Sequence, residues 1–231
     1  MVLQTEVSRG QAQSVLTVKN PTDQPVRVRV YAQPFTYERE AGFTVLTEDD
    51  DDLTPYLQFS PREFVIPAGQ NQRVRLLGLL PPSLPEPEYR AVVFTEVLLE
   101  EEPSAGFTSS IQTRIGSTVY FRQSDSDAEL SVDSAEWNTE NSQIQLLVNN
   151  NGSATARPDA KWTLIYDGQT MAEGNSGNTT VIAGQDRLLQ LNHDQTTSEL
   201  SPGNYELTGE LVWRYGTEQH SQPFSTTFSI P

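Results

Sequence analysis

Residues 59–76 read Phe59-Ser60-Pro61-Arg62-Glu63-Phe64-Val65-Ile66-Pro67-Ala68-Gly69-Gln70-Asn71-Gln72-Arg73-Val74-Arg75-Leu76. Two β-rich runs, Phe64–Ile66 and Arg73–Leu76, flank Pro67-Ala68-Gly69-Gln70. Proline presets φ for a turn, and glycine accepts the positive φ that a turn can demand. The second run alternates, with Val74 and Leu76 on one face and Arg73 and Arg75 on the other. That is the two-residue period of a half-buried strand.

The same pattern extends outward in both directions. Gln13–Lys19 places Ala12, Ser14, Leu16 and Val18 on one face. Asn20-Pro21-Thr22-Asp23 follows as a turn. Val26-Arg27-Val28-Arg29-Val30 has Val inward and Arg outward. Tyr89–Leu99 is a long β-rich run, and Ile111, Thr113, Ile115, Ser117, Val119 and Phe121 share one face of another. After the polar hinge Ser124-Asp125-Ser126-Asp127, about seven more strands are predicted. They are Leu130–Val132, Ile144–Val148, Ala160–Tyr166, Thr179–Ile182, Arg187–Leu191, Tyr205–Tyr215 and Phe224–Ile230. Asn149-Asn150-Asn151-Gly152, Asp167-Gly168 and Ser201-Pro202-Gly203-Asn204 supply turns. The fold class is all-β, with two immunoglobulin-like sandwiches in tandem, residues 1–122 and 123–231. No helix longer than a turn or two is expected, and no sequence repeat relates the halves.

Composition narrows the function. The 231 residues carry 31 Asp and Glu against 15 Lys and Arg, a formal charge of −16. That charge opposes binding to nucleic-acid phosphates or anionic membrane surfaces. The absence of Cys removes disulfides, thiolate nucleophiles and Cys-based zinc sites. Only His193 and His220 could serve a histidine-dependent enzyme, and they lie far apart in sequence. The longest apolar run, around Leu76–Leu80, is far short of the roughly 20 residues that span a bilayer. No secretory signal is visible after Met1, so the chain reads either as cytoplasmic or as a mature form with a start Met added.

Residues 3–122 resemble the N-terminal domain of the PapD-like periplasmic pilus chaperones. Three pieces carry the resemblance: Val15-Leu16-Thr17-Val18-Lys19-Asn20-Pro21, then the opening stretch Phe59–Leu76, then Leu84-Pro85 with Tyr89–Glu96 and Ile111–Arg122. The second block is similar only as a second immunoglobulin-like sandwich at the expected place. The resemblance implies two domains in an L shape, a periplasmic location with the signal peptide removed, and no enzymatic activity. It implies a function as well, in pilus or fimbrium biogenesis by the chaperone–usher route. The chaperone would hold an incomplete immunoglobulin-fold subunit by donor-strand complementation and deliver it to an outer-membrane usher. Pilin-like subunits and the usher are the implied partners, and a homodimer through the last strand of the first domain is expected in the free protein. No cofactor, metal or nucleotide is implied.

The resemblance also assigns residues. The donated strand would present Phe107, Ser109, Ile111, Thr113 and Ile115, an extended row able to pair with a client's open groove. The other reading gives that face to the domain's own core. Family members anchor the client's C-terminal carboxylate with a basic pair. The matching first-strand position falls near Leu3 or Gln4, and the last-strand position on Gly116 or Thr118. Arg9 and Arg114 are the nearest cations and could grip a carboxylate together; ordinary surface residues is the other reading. Arg122 matches a family Arg that pairs with a Glu to hold the domains, and Glu88 lies near that Glu position.

Other signals read as structural. The acidic run Glu48–Asp52 lacks the spacing of a calcium loop and reads as a solvated loop tip. Glu100-Glu101-Glu102 reads as a charged hairpin tip. Trp162 and Trp213 are expected in the second core, and Tyr205 as a corner tyrosine. The competing function is a two-domain immunoglobulin-like envelope or surface module that binds without chaperoning.

Overall fold

The computed structural model describes residues 1–85, 87–98, 113–123, 126–191 and 200–231. Its contacts form two compact units, Met1–Phe35 with Val45–Asp125, and Thr36–Thr44 with Ser126–Pro231. The sequence reading placed all of 1–122 in one domain; the contacts group Thr36–Thr44 with the second unit.

In the first unit, β1 (Val2–Glu6), β2 (Gln11–Lys19) and β3 (Val26–Gln33) come first. β4 (Phe35–Glu38) and β5 (Gly42–Val45) form a two-stranded ribbon whose residues Thr36–Thr44 group with the second unit. β6 (Leu57–Ser60), β7 (Glu63–Ile66), β8 (Asn71–Leu79), β9 (Glu88–Leu98) and β10 (Arg114–Arg122) follow. A five-stranded sheet runs β1-β10-β9-β3-β7 and faces a three-stranded sheet β2-β8-β6. The sequence alternation is the packing. Ala12 and Leu16 of β2, Val28 and Val30 of β3, Val74 and Leu76 of β8, and Val119 and Phe121 of β10 meet in one core. Arg27, Arg29, Arg73 and Arg75, one residue out of phase, stay exposed. Gly78 is required by this core, because a Cβ there would collide with the Phe121 ring. The Pro67–Gln70 turn forms as read, with Gln70 N–H donating to the Pro67 carbonyl at 3.1 Å and Gly69 at φ +67°.

In the second unit, β11 (Leu130–Asn138), β12 (Gln143–Asn150) and β15 (Asp186–Leu191) form one sheet, in the order β11-β12-β15. The facing sheet runs β14-β13-β16-β17, from β13 (Asp159–Tyr166), β14 (Gln169–Asn175), β16 (Gly203–Tyr215) and β17 (Glu218–Ile230). Trp162, Trp213, Leu146, Leu164 and Leu207 fill the core between them, with the two tryptophans where the sequence placed them. Tyr205 is a corner tyrosine: its hydroxyl donates to the Ser201 carbonyl at 2.8 Å, and burial raises its pKa above the ordinary value.

Two expectations for this unit change. Thr179–Ile182 forms no strand, although Thr180, Val181 and Ile182 are buried; only Val181 makes a bridge, to Ala156. The second change is β14, absent from the sequence reading. Its residues Gln169–Asn175 are mostly exposed and carry no apolar alternation. The hairpin turn creates it: Asp167 and Gly168 both take positive φ, +48° and +74°, the conformation that matches the twist of paired strands.

The halves share no sequence repeat, yet they share one device. Asn20 and Asn150 each end a strand and are buried. The Asn20 amide donates to the carbonyls of Gln24 and Ile66 at 2.8 and 3.0 Å. The Asn150 amide donates to those of Ala154 and Val181 at 2.9 and 3.2 Å. Each side-chain carbonyl accepts the backbone N–H two residues on, from Thr22 and from Gly152. One side chain thus satisfies the turn and a segment distant in sequence, which a buried backbone requires.

Candidate functional site

The strand that carries the expected site is β10, and its two halves differ. Thr118–Arg122 pairs on both sides, antiparallel with β9 and parallel with β1, where Val2 lies opposite Thr118 and Glu6 opposite Arg122. Arg114–Ser117 pairs with Glu96–Val93 of β9 alone. Among the described residues, no strand covers the other edge of that half. Its backbone groups therefore offer an edge to which a further strand can pair.

The side chains divide the same way. Ile115, Ser117, Val119 and Phe121 share a face. Val119 and Phe121 are in the core, whereas Ile115 is 62% exposed. The core reading of this face thus holds for Val119 and Phe121 and fails for Ile115. Thr113 lies just before the strand, exposed, its carbonyl accepting from Val97 N–H at 3.1 Å. Phe107, Ser109, Ile111 and the acidic Glu100–Glu102 fall outside the described residues.

On the opposite face of β10, Arg114, Gly116, Thr118, Tyr120 and Arg122 follow one another. Arg114 lays its guanidinium over the Phe94 ring, 4.7 Å from the centroid. Phe94 in turn meets Tyr31, with ring centroids 5.4 Å apart. Gly116 makes room for this stack, since a Cβ there would stand 3.2 Å from Phe94 and 3.0 Å from Val92. Beside it, Arg29 grips the Glu96 carboxylate at 2.5 Å.

Arg9 and Arg114 do not meet. Arg9 sits in the turn beyond β1, at φ +54°, past the end where Glu6 faces Arg122. Arg114 lies eight residues before Arg122, about 26 Å of strand away at roughly 3.3 Å per residue. The two cannot hold one carboxylate. The cause is the parallel register of β1, which carries its C-terminal turn to the far end of β10.

Arg122 and Glu88 do meet. They are register partners, and Arg122 Nε donates to Glu88 Oε2 at 2.6 Å, with 4% and 1% of the side chains exposed. A pair this dry is held by Coulomb attraction and hydrogen bonding together.

The acidic run Glu48–Asp52 is a solvated tip only at Glu48 and Asp50; Asp49, Asp51 and Asp52 are half-buried and hydrogen-bonded. Arg90, 3% exposed, donates to Asp51 at 2.6 Å, to Asp49 at 2.8 Å and to the Phe35 carbonyl at 3.2 Å. Asp52 accepts from the Thr54 N–H and hydroxyl at 2.7 and 2.6 Å, just before a single 3-10 turn, Thr54–Tyr56. Burial pushes the Asp49 carboxyl above its ordinary value, against the pull of Arg90 and the Asp51 N–H. Sequence missed this because the cation stands about 40 residues from the acids, on β9. An Arg inside an otherwise apolar strand run was the available signal, since such a charge must find a partner. Among the described residues, no group of three or more acidic or histidine side chains is placed to hold a metal ion. No helix among them is long and apolar enough to cross a membrane.

No family model and no curated protein matches the chain. Solved structures do match its fold along nearly its whole length. The class 5 fimbriae chaperone CfaA superposes with a TM-score of 0.56 at 11% identity, covering 99% of this chain and 97% of that one. A chain from the Salmonella enterica complex of the SafA pilin with the SafB chaperone gives 0.54 at 14%, covering 96% and 91%. One from the Acinetobacter baumannii CsuC–CsuE chaperone–tip adhesion subunit pre-assembly complex gives 0.51 at 15%, covering 97% and 94%. The chain carries the two-domain immunoglobulin-like fold of the fimbrial chaperones, the family that its sequence resembles.

Proposed function

We propose that the protein is a periplasmic chaperone for pilus or fimbrial subunits. It holds an incomplete immunoglobulin-fold subunit by adding the open half of β10 to the subunit's groove, and passes it to an outer-membrane usher. The single observation that carries this reading is the exposed Ile115 on the edge Arg114–Ser117, which no strand covers among the described residues, in line with the core residues Val119 and Phe121. Strand addition needs that combination: free backbone groups for affinity and alternate apolar side chains for a groove. The fold likeness to chaperones solved with pilin and tip subunits supports the same reading. Phe107, Ser109, Ile111 and Thr113 would extend the donated row. Arg122 with Glu88 would stiffen the far end of the strand rather than touch the client.

The test is co-purification from the native envelope with wild type, Ile115→Asp and Val65→Asp. Val65 is exposed on β7, at the other edge of the same sheet. Recovery of a small β-rich subunit with wild type and Val65→Asp, and its loss with Ile115→Asp, is the expected result. Equal recovery with wild type and both variants would refute strand donation through β10. The protein would then be read as an immunoglobulin-like envelope module.

A further inference from the structure

The outer face of the sheet β2-β8-β6 is the exception in an acidic molecule. Cross-strand register places Thr17 beside Arg73, and Arg75 between Val15 on one side and Ser60 on the other. Lys19 stands opposite Asn71 at the end of the same face. Arg73, Arg75 and Lys19 are exposed, and among the described residues none is in an ion pair. No Asp or Glu lies on β2, β6 or β8. Val15, Ser60, Arg73 and Arg75 line a groove of about 460 Å³. Val15 and Leu79 add exposed apolar surface on the same face.

From this we propose that the face is a docking site for an extended acidic segment of a partner protein, one with carboxylates at every second residue. The spacing is the argument. Arg73 and Arg75 project from one face of a strand two residues apart, about 6.6–6.8 Å. An extended peptide presents alternate side chains at that same interval. Each guanidinium can grip one carboxylate with two parallel hydrogen bonds. Val15, Thr17 and Ser60 beside the arginines leave no competing negative charge, and Lys19 continues the positive row past Arg73. The net charge of −16 repels acidic partners elsewhere on the surface, so the patch also fixes where such a segment lands. An anionic membrane is disfavoured by the same net charge. This inference does not depend on strand donation through β10.

The test uses the full chain and two labelled peptides of equal composition, Thr-Glu-Thr-Glu-Thr-Glu-Thr and its isomer with the three Glu contiguous, read by fluorescence anisotropy at low salt. The alternating peptide should bind at least tenfold tighter than the blocked one. Binding should weaken tenfold or more in Arg73→Ser/Arg75→Ser and stay unchanged in Arg27→Ser, whose side chain is already paired with Glu63. Arg73→Glu/Arg75→Glu should reverse the preference towards the Lys-for-Glu peptide, which separates recognition from loss of fold. Equal affinity for the two acidic isomers, binding of neither, or capture by phosphatidylglycerol vesicles but not by the peptides would each overturn the proposal.

Discussion

β10 is one continuous strand with two different environments. From Thr118 to Arg122 it is buried, paired on both sides, and finished by a dry ion pair with Glu88. From Arg114 to Ser117 it is paired, among the described residues, on one side, and three of its four residues are exposed. Composition does not separate the halves, because Ile115 is as apolar as Val119. What separates them is the reach of β1, whose register begins opposite Thr118. A β-branched residue therefore packs the core or faces solvent according to what its neighbours cover, since strand propensity measures fit to a half-buried surface. The same strand can stabilise its own domain at one end and offer an edge at the other.

The comparison is broken most directly at its closed end. Glu88→Ala removes a buried carboxylate from the Arg122 guanidinium and should cost about 3–5 kcal/mol. Urea denaturation would read this as a lower midpoint with unchanged slope. A loss below about 1 kcal/mol would mean that water reaches Arg122, and the closed half would not be as dry as it looks. The next test uses matched truncations on one face. Val119→Ala should cost about 2 kcal/mol, from two buried methylene equivalents and the cavity left behind. Ile115→Ala should stay within about 0.5 kcal/mol, as exposed substitutions do. Equal losses would erase the distinction between the halves.

Smaller effects sharpen it. Arg114→Ala removes the cation over Phe94 and should cost about 0.5 kcal/mol, as exposed cation–π contacts do. It should leave the closed half intact, read as unchanged amide exchange at Thr118–Arg122. The last test is a pH dependence behind the closed half, where Arg90 faces Tyr120 in register and holds Asp49. Burial raises the folded pKa of Asp49, so the native state takes up this proton before the unfolded chain does. Its stability contribution is therefore least at neutral pH. It grows as pH falls through the raised folded pKa and is complete below the unfolded value of about 3.9. The stability of wild type minus that of Asp49→Asn should rise as pH is lowered from about 7 to about 3.5. A difference that falls over that range would show that the Arg90 attraction outweighs burial.

Local alternation and turn chemistry carried most of the fold. Val28 and Val30 point inward with Arg27 and Arg29 outward, Gly69 turns the chain, and Tyr205 corners it, all readable from residues within a few positions of one another. Where a strand had no such signal, as in Gln169–Asn175, only the Asp167-Gly168 hairpin and its neighbour β13 made it one. Thr180, Val181 and Ile182 show the converse: β-branched residues that are buried without a partner strand. The site was legible in part. The row containing Ile115 was visible as an apolar period of two. That it emerges from the core at Ile115 was not, because this depends on where β1 stops.

Sequence by itself determined that the chain is all-β, acidic, free of cysteine, built as two sandwiches, and patterned like a pilus chaperone. Those properties depend on side-chain period, net charge and turn residues, which are local or additive along the chain. Tertiary structure alone decided the pairings across long separations. Arg90 meets Asp49 and Asp51, and Asn150 meets Val181, through side chains that reach loops distant in sequence, and the wide separation of Arg9 from Arg114 follows from strand register. Register is a collective property of two strands, and a one-residue slip would turn every side chain to the other face.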